Sequence, residues 1–223
     1  MSPHVCARHP AAADVEGHCA ACLVEAALGT GDERRAVSGT FTIQVPLGGA
    51  ETASVFLVRG GSPWHRLLRL KQWRTQAPPG FVDAFDRLKW QLTTWRQPAI
   101  VMPVAAWVDA AGFPSVLTEF RQGVPLLDAV NSGRMNRDAA AAALGRLRDV
   151  IGAAHARGLA HGSIVPGNVL VGPPDSGPYL LDFGCAVLLG GDPAGEARVE
   201  SDLRGFARLE AALHAFTAKS ERL

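Results

Sequence analysis

Lysine is scarce in this chain: Lys71, Lys89 and Lys219 are the only ones among 22 basic residues in 223, and the rest are arginine. A lysine kept against that bias is a candidate for a specific role. The chain also lacks any apolar run near the ~20 residues of a membrane span. Its first residues, MSPHVCARHP, lack the basic-then-apolar layout of a secretory leader. A soluble cytoplasmic protein with no membrane partner is therefore expected. Excess charge is missing too: 21 acidic residues nearly cancel the basic ones, for a net charge of +1. That argues against bulk attraction to nucleic acid or anionic lipid. Cysteine is limited to four, three of them within the first 22 residues. This crowding suits a metal better than a disulfide framework in a reducing compartment.

What is present is enough for a core: 48% of residues are hydrophobic and 19% charged, which allows one or two domains. Residues 1–30 form a unit of their own, and TGDERRAVSG leads out of them as a linker (31–39). TFTIQVPLGG, ASVFLVRG and HRLLRLKQW read as a β-meander. GFVDAFDRLKWQLTTW spaces Phe81, Phe85, Leu88, Leu92 and Trp95 as a helix does. AIVMPVAAWVD and PSVLTEF read as strands of a hairpin. Beyond residue 120 helices dominate: VPLLDAVNSG, then NRDAAAAALGRLRDVIGAAHARG closed by Gly158, and finally ESDLRGFARLEAALHAF with Ser201 or Asp202 near its start. Between them NVLVG and PYLLDFG form a second β pair, while GDPAGEAR reads as a solvated loop. No internal repeat is evident. A β-rich 40–120 and a helical 121–223 make an α+β, two-lobed chain.

One constellation carries chemistry. HGSIVPGN places His161 seven residues before Asn168, and LLDFG brings Asp182 fourteen residues after it. With the order of elements, this spacing resembles the protein kinase fold, particularly bacterial Ser/Thr kinases, over roughly residues 40–215; the arginine bias suits a GC-rich bacterial coding sequence. The kinase pattern is H-R-D-x-x-x-x-N followed by D-F-G. The resemblance implies that Asn168 and Asp182 would hold magnesium and that His161 packs beneath the D-F-G segment. It puts the general base at Ser163, whose hydroxyl cannot take a proton near neutral pH as a carboxylate does, so a factor of roughly 10²–10⁴ is lost. Gly162 stands where kinases controlled by phosphorylation usually carry arginine, and Val165 where a lysine faces the transferred phosphate.

The first lobe is mixed by the same standard. Lys71 matches the lysine that grips the α- and β-phosphates. Its usual glutamate partner falls on Leu88, with Asp86 the better of the nearby acids, Asp83 and Asp86. In PLGGAETASVFLV, Gly48 matches the first glycine of the phosphate loop, but the next two positions are Ala50 and Ala53, which leaves a poorer cradle. Val55 would cap the adenine, and Thr118, Glu119 and Phe120 would be the hinge. Asp202 would buttress the catalytic loop. No docking helices follow, so the second lobe is expected to be truncated, and its exposed flank implies a protein partner. A second copy of the chain is an alternative occupant.

Near the N-terminus Cys6-x-x-His9 and Cys19-x-x-Cys22 supply three thiolates and an imidazole, the donor set of a structural zinc knuckle. His4 and His18 are alternatives to His9. Free thiols are the plainer reading, and a redox C-x-x-C pair would leave Cys6 and His9 without a role. Cys185 is expected to be a small buried hydrophobe, and Trp73, Trp90, Trp95, Trp107 and His155 to pack in the core or at a lobe interface. The resulting expectation is a pseudokinase that signals or scaffolds by binding protein, with ATP and magnesium as candidate ligands. The alternative is an ATP-dependent phosphotransferase or nucleotidyltransferase using Lys71, Asn168 and Asp182. HGSIVPGN also resembles the loop of small-molecule kinases acting on aminoglycosides or choline, which likewise keeps an aspartate that is absent here. A third reading makes the zinc module an adaptor.

Overall fold

The computed structural model describes residues 41–60, 66–173, 177–190 and 195–215, together with the backbone of two short strands nearer the N-terminus. Those two, β1 (Asp14–Val15) and β2 (His18–Cys19), pair antiparallel with Asp14 opposite Cys19. The mixed α/β composition expected from the sequence is found. The chain divides into two compact units, one of residues 1–90 and 102–120, the other of residues 91–101 and 121–223.

The first unit is built on a five-stranded antiparallel sheet in the order β3-β4-β5-β7-β6. Its strands are β3 (Phe41–Ala50), β4 (Ala53–Gly60), β5 (Leu67–Trp73), β6 (Pro103–Val108) and β7 (Pro114–Glu119). Period-two alternation drives one face inward, burying Phe56 and Val58 on β4 and Leu68 and Leu70 on β5 with Phe41, Val104, Trp107 and Leu117. The β6–β7 turn is held by Asp109, whose Oδ1 accepts the N–H groups of Ala111 and Phe113 at 3.0 and 2.8 Å, an Asx-type closure. Between β5 and β6 runs α1 (Phe81–Trp95), with Phe81, Phe85, Leu88 and Leu92 buried at helical spacing. On that helix Lys89 donates from Nζ to the Val104 carbonyl at 2.6 Å.

The second unit holds a three-stranded sheet, β10-β9-β8, of β8 (Val124–Pro125), β9 (Val169–Val171) and β10 (Tyr179–Leu180). Its helices are α2 (Leu126–Asn131), α3 (Arg137–His155), α4 (Cys185–Leu188) and α5 (Gly195–Ala215). Asn136 caps α3 by accepting the Ala139 N–H at 2.8 Å, and Gly158, at φ 72°, ends the segment after it. The inward row of α3, including Leu144, Leu147 and Ile151, and that of α5, including Phe206, Leu209 and Leu213, are buried. An ion pair, Arg148–Glu210, joins the two helices at the surface.

Several local expectations are corrected. The last helix starts at Gly195, so residues 195–198 of GDPAGEAR are helical; residues 191–194 lie outside the described set. The helix begins ahead of the polar pair Ser201–Asp202, and Arg198, a good helix former, lies within it. Asp202 consequently lies two turns inside the helix instead of near its start. Residues 124–125 join β9 instead of opening a helix, and Pro125, having no N–H, occupies a position before the first helical turn. Trp90 is 70% exposed: it falls on the outer face of α1, off the row of Phe81, Phe85, Leu88 and Leu92. Trp73 and Trp107 are buried as expected, whereas Trp95 is half-buried with the Arg157 guanidinium 5.0 Å from its ring centroid.

Candidate functional site

The loop that carries the HGSIVPGN motif is fixed from beneath by one buried carboxylate. Asp202 is fully buried on α5. Its Oδ2 accepts the backbone N–H of His161 at 2.9 Å, and its Oδ1 accepts that of Gly162 at 2.8 Å. The same Oδ2 is 2.9 Å from Nε2 of His155 on α3. These contacts satisfy loop amides that would otherwise be orphaned away from water. His155, expected to pack in the core or at a lobe interface, is a half-buried polar partner of the carboxylate.

Close approach of α5 to the loop depends on Gly205. A Cβ there would lie 2.6 Å from the Ile164 carbonyl oxygen and 2.7 Å from Ile164 Cβ, so any side chain would push helix and loop apart. Gly205 gave no signal in the sequence, because its neighbour is forty-one positions away along the chain.

His161 is fully buried and both ring nitrogens are engaged. Nε2–H donates to the Leu181 carbonyl at 2.9 Å, and Nδ1 accepts the Ser163 N–H at 3.2 Å. That pairing defines the neutral Nε2–H tautomer, since a proton on Nδ1 would face another N–H. Burial pushes the imidazole below its ordinary value of 6.5, against the opposing pull of the Asp202 and Asp182 carboxylates. The ring meets Phe183 edge-on at 5.4 Å between centroids. The ring therefore clasps the segment that carries Asp182 to the loop, a structural task for which charge is a hindrance.

Asn168 and Asp182 are brought to the same loop. Asn168 donates from Nδ2 to the Ser163 carbonyl at 2.9 Å, which turns its Oδ1 away as an oxygen donor. Its backbone carbonyl accepts the Leu181 N–H at 2.9 Å. Asp182 is buried and sits at φ 58°, a left-handed conformation that aspartate tolerates better than most residues. Leu180, two positions earlier, is tied to the Ala99 carbonyl at 2.7 Å and to the Val101 N–H at 3.0 Å. One carboxylate and one amide oxygen are a donor set that fits magnesium, which takes few protein oxygens and keeps water or phosphate in its other positions. Among the described residues there is no group of three or more His, Cys, Asp or Glu arranged to hold a metal.

Ser163, at the position of the expected base, is half-buried. Its backbone N–H and carbonyl are spent on His161 and Asn168. Val165, one turn before Asn168, is 43% exposed.

The remaining candidate residues lie in the first unit. Gly48, at φ 128°, pairs with Val55 across the β3–β4 hairpin, and Ala50 pairs with Ala53. The stretch compared with a phosphate loop is thus a ladder running to a two-residue turn, Glu51-Thr52. Gly49 belongs to that closure: a Cβ on it would be 2.7 Å from the Ala53 carbonyl oxygen. Arg74 ties the tip down, its N–H donating to the Thr52 carbonyl at 2.9 Å and its Nη2 to Ser54 Oγ at 3.0 Å. Lys71, on β5, has its Nζ 5.1 Å from the Trp73 ring centroid, a cation–π arrangement. Asp86 is exposed on α1 and Leu88 buried. Glu119 ends β7; it accepts Arg66 Nη1 at 3.2 Å and donates its N–H to the Met102 carbonyl. Of the zinc candidates, Cys19 lies on β2; Cys6, His9 and Cys22 lie outside the described residues.

The chain is 27% identical over 161 residues to the serine/threonine-protein kinase pkn2 of Myxococcus xanthus, a match covering 71% of this chain and 19% of that protein. The chain is similar to a protein kinase. It spans less than a fifth of that relative's length. No family model matches the chain. No helix of the described residues is long and apolar enough to cross a membrane.

Proposed function

We propose that this chain is a catalytically impaired, kinase-like module, a pseudokinase that acts by binding another protein in signalling or scaffolding. The observation that carries this reading is Ser163. The loop around it is held by Asp202, His161 and Asn168, so its backbone is ordered for chemistry, yet the side chain at the base position cannot accept a proton at neutral pH. Val165 supplies no charge for a transferring phosphate. The partner is a protein that covers the helical flank of the second unit, and a homo-oligomer is the alternative occupant. The cytoplasm is the compartment that suits reduced thiols.

Two ligands belong to the same proposal. Asn168 and Asp182 retain magnesium with nucleotide. Cys6, His9, Cys19 and Cys22 hold a structural zinc. ATP with magnesium at about 100 times its dissociation constant should raise the unfolding free energy by about 2.7 kcal/mol, a shift of several degrees. The rise should vanish in Asp182→Asn; no rise in the native chain removes nucleotide from the proposal.

A second reading, an unorthodox ATP-dependent phosphotransferase or nucleotidyltransferase, is supported by the survival of both oxygen donors, Asn168 and Asp182, on an ordered loop. ATP-dependent mass added to the chain itself or to a partner, and lost in Asp182→Asn, decides for it.

A further inference from the structure

Gly162 has a second role beside its hydrogen bond to Asp202. It sits at φ +81°, and a Cβ placed on it would lie 3.2 Å from Val187 Cγ2 and 3.3 Å from Ala186 Cβ. Both neighbours belong to α4, the single helical turn that begins directly after Gly184. That turn is bonded to the loop at its start and closed by its own backbone bonds. The Gly184 N–H donates to the His161 carbonyl at 3.1 Å, the Cys185 N–H to the Asp182 carbonyl at 3.1 Å, and the Leu188 N–H to the Gly184 carbonyl at 3.0 Å. Cys185 and Leu188 are buried, each 7% exposed. The helix therefore rests on a position where any side chain would be crowded and strained.

The sequence adds a chemical fact. Between Asp182 and Ser201 there is no serine, threonine or tyrosine, so this stretch offers no hydroxyl to phosphorylate. Gly162 offers no guanidinium to receive a phosphate.

We propose that α4 is a fixed clasp: packed on Gly162, it holds the segment after Asp182 in one conformation by apolar contact, where a phosphate switch would otherwise set that conformation. The packing stands on its own geometry, while its regulatory meaning rests on the kinase-like reading of the loop. The clasp makes the state of the loop constitutive, to be changed only by something that displaces α4.

Cys185, buried on the clasp, is a built-in reporter. In the folded 223-residue chain its alkylation by N-ethylmaleimide, followed by site-resolved mass spectrometry, should be at least about tenfold slower than in urea. Phosphatase treatment and ATP with magnesium should leave that rate unchanged. Val187→Asp should raise the rate at least about tenfold while cooperative melting persists, and if that variant does not fold, Val187→Ala should raise it about threefold. Native Cys185 reacting at the unfolded rate, Val187 variants that stay as protected as the native chain, or a rate that changes with phosphatase would each overturn the clasp. A failure of nucleotide to raise the melting temperature concerns the proposed function alone and leaves the Cys185 result standing.

Discussion

Asp202 and Gly162 are joined by a hydrogen bond of 2.8 Å that spans forty residues of sequence, from the second turn of α5 to the loop carrying Ser163 and Asn168. With its companion at His161 it makes the carboxylate the foundation of the candidate site. Replacing it by alanine strands two loop amides and the His155 imidazole. Asp202→Ala should cost about 3–5 kcal/mol of unfolding free energy. Asp202→Asn keeps one oxygen acceptor and should cost less. Urea titration measures both; equal, small losses would show that the loop holds itself.

His161 should make stability depend on pH. Burial lowers its proton affinity in the folded chain relative to the ordinary value of 6.5, so the unfolded chain binds a proton that the folded one refuses. The stabilising contribution is complete above about 6.5 and declines as pH falls below it, by at most about 1.4 kcal/mol per unit. His161→Gln, which can still donate to the Leu181 carbonyl, should flatten the profile between pH 7 and 5. Parallel profiles for native and variant would contradict the burial argument.

Two glycine classes should respond oppositely to alanine. Gly205→Ala drives a methyl into the Ile164 backbone and should destabilise by about 1–3 kcal/mol. Gly145→Ala and Gly152→Ala, exposed on α3 with nothing within 4 Å, should stabilise by about 0.5–1 kcal/mol. Thermal melting of the three variants checks the contrast, and a neutral Gly205→Ala would mean that α5 stands farther from the loop.

Much of this was legible in the sequence, and the parts that were not share a cause. The strands β3 to β7 and helix α1 announce themselves by local periodicity, and His161, Asn168 and Asp182 by spacing along one stretch of chain. The buried, structural part played by His161 was also readable. The start of α5 was not, because a polar pair at Ser201–Asp202 has the look of a cap while Asp202 spends its oxygens on another element. His155, Gly205 and the α4 packing on Gly162 depend on partners distant in sequence. Gly49 and Arg74 are not legible in PLGGAETASVFLV, because the hairpin closes on its own ladder and on a side chain twenty positions beyond Ser54.

Arg74 should control the hairpin tip. Arg74→Ala removes the contact to Ser54 Oγ and a longer one to the Glu51 carbonyl, at 3.4 Å. Amide exchange within residues 50–54 should accelerate about tenfold while the buried strands stay protected. Unchanged exchange there would show that the two-residue turn is sufficient.

Zinc should be present at about one ion per chain in protein purified without chelator, and Cys19→Ser or Cys22→Ser should lower that content sharply. Elemental analysis gives the answer directly; equal zinc in native and variant chains would place any metal elsewhere.

ATP turnover decides whether the proposed pseudokinase has an ordered loop without a working base. Phosphate transfer should be measured with native chain and with Asp182→Asn, side by side, in magnesium and in the presence of generic protein acceptors. The native chain should show no turnover above the Asp182→Asn background. Robust turnover that Asp182→Asn abolishes would contradict it, and would mean that another group takes the proton that Ser163 cannot.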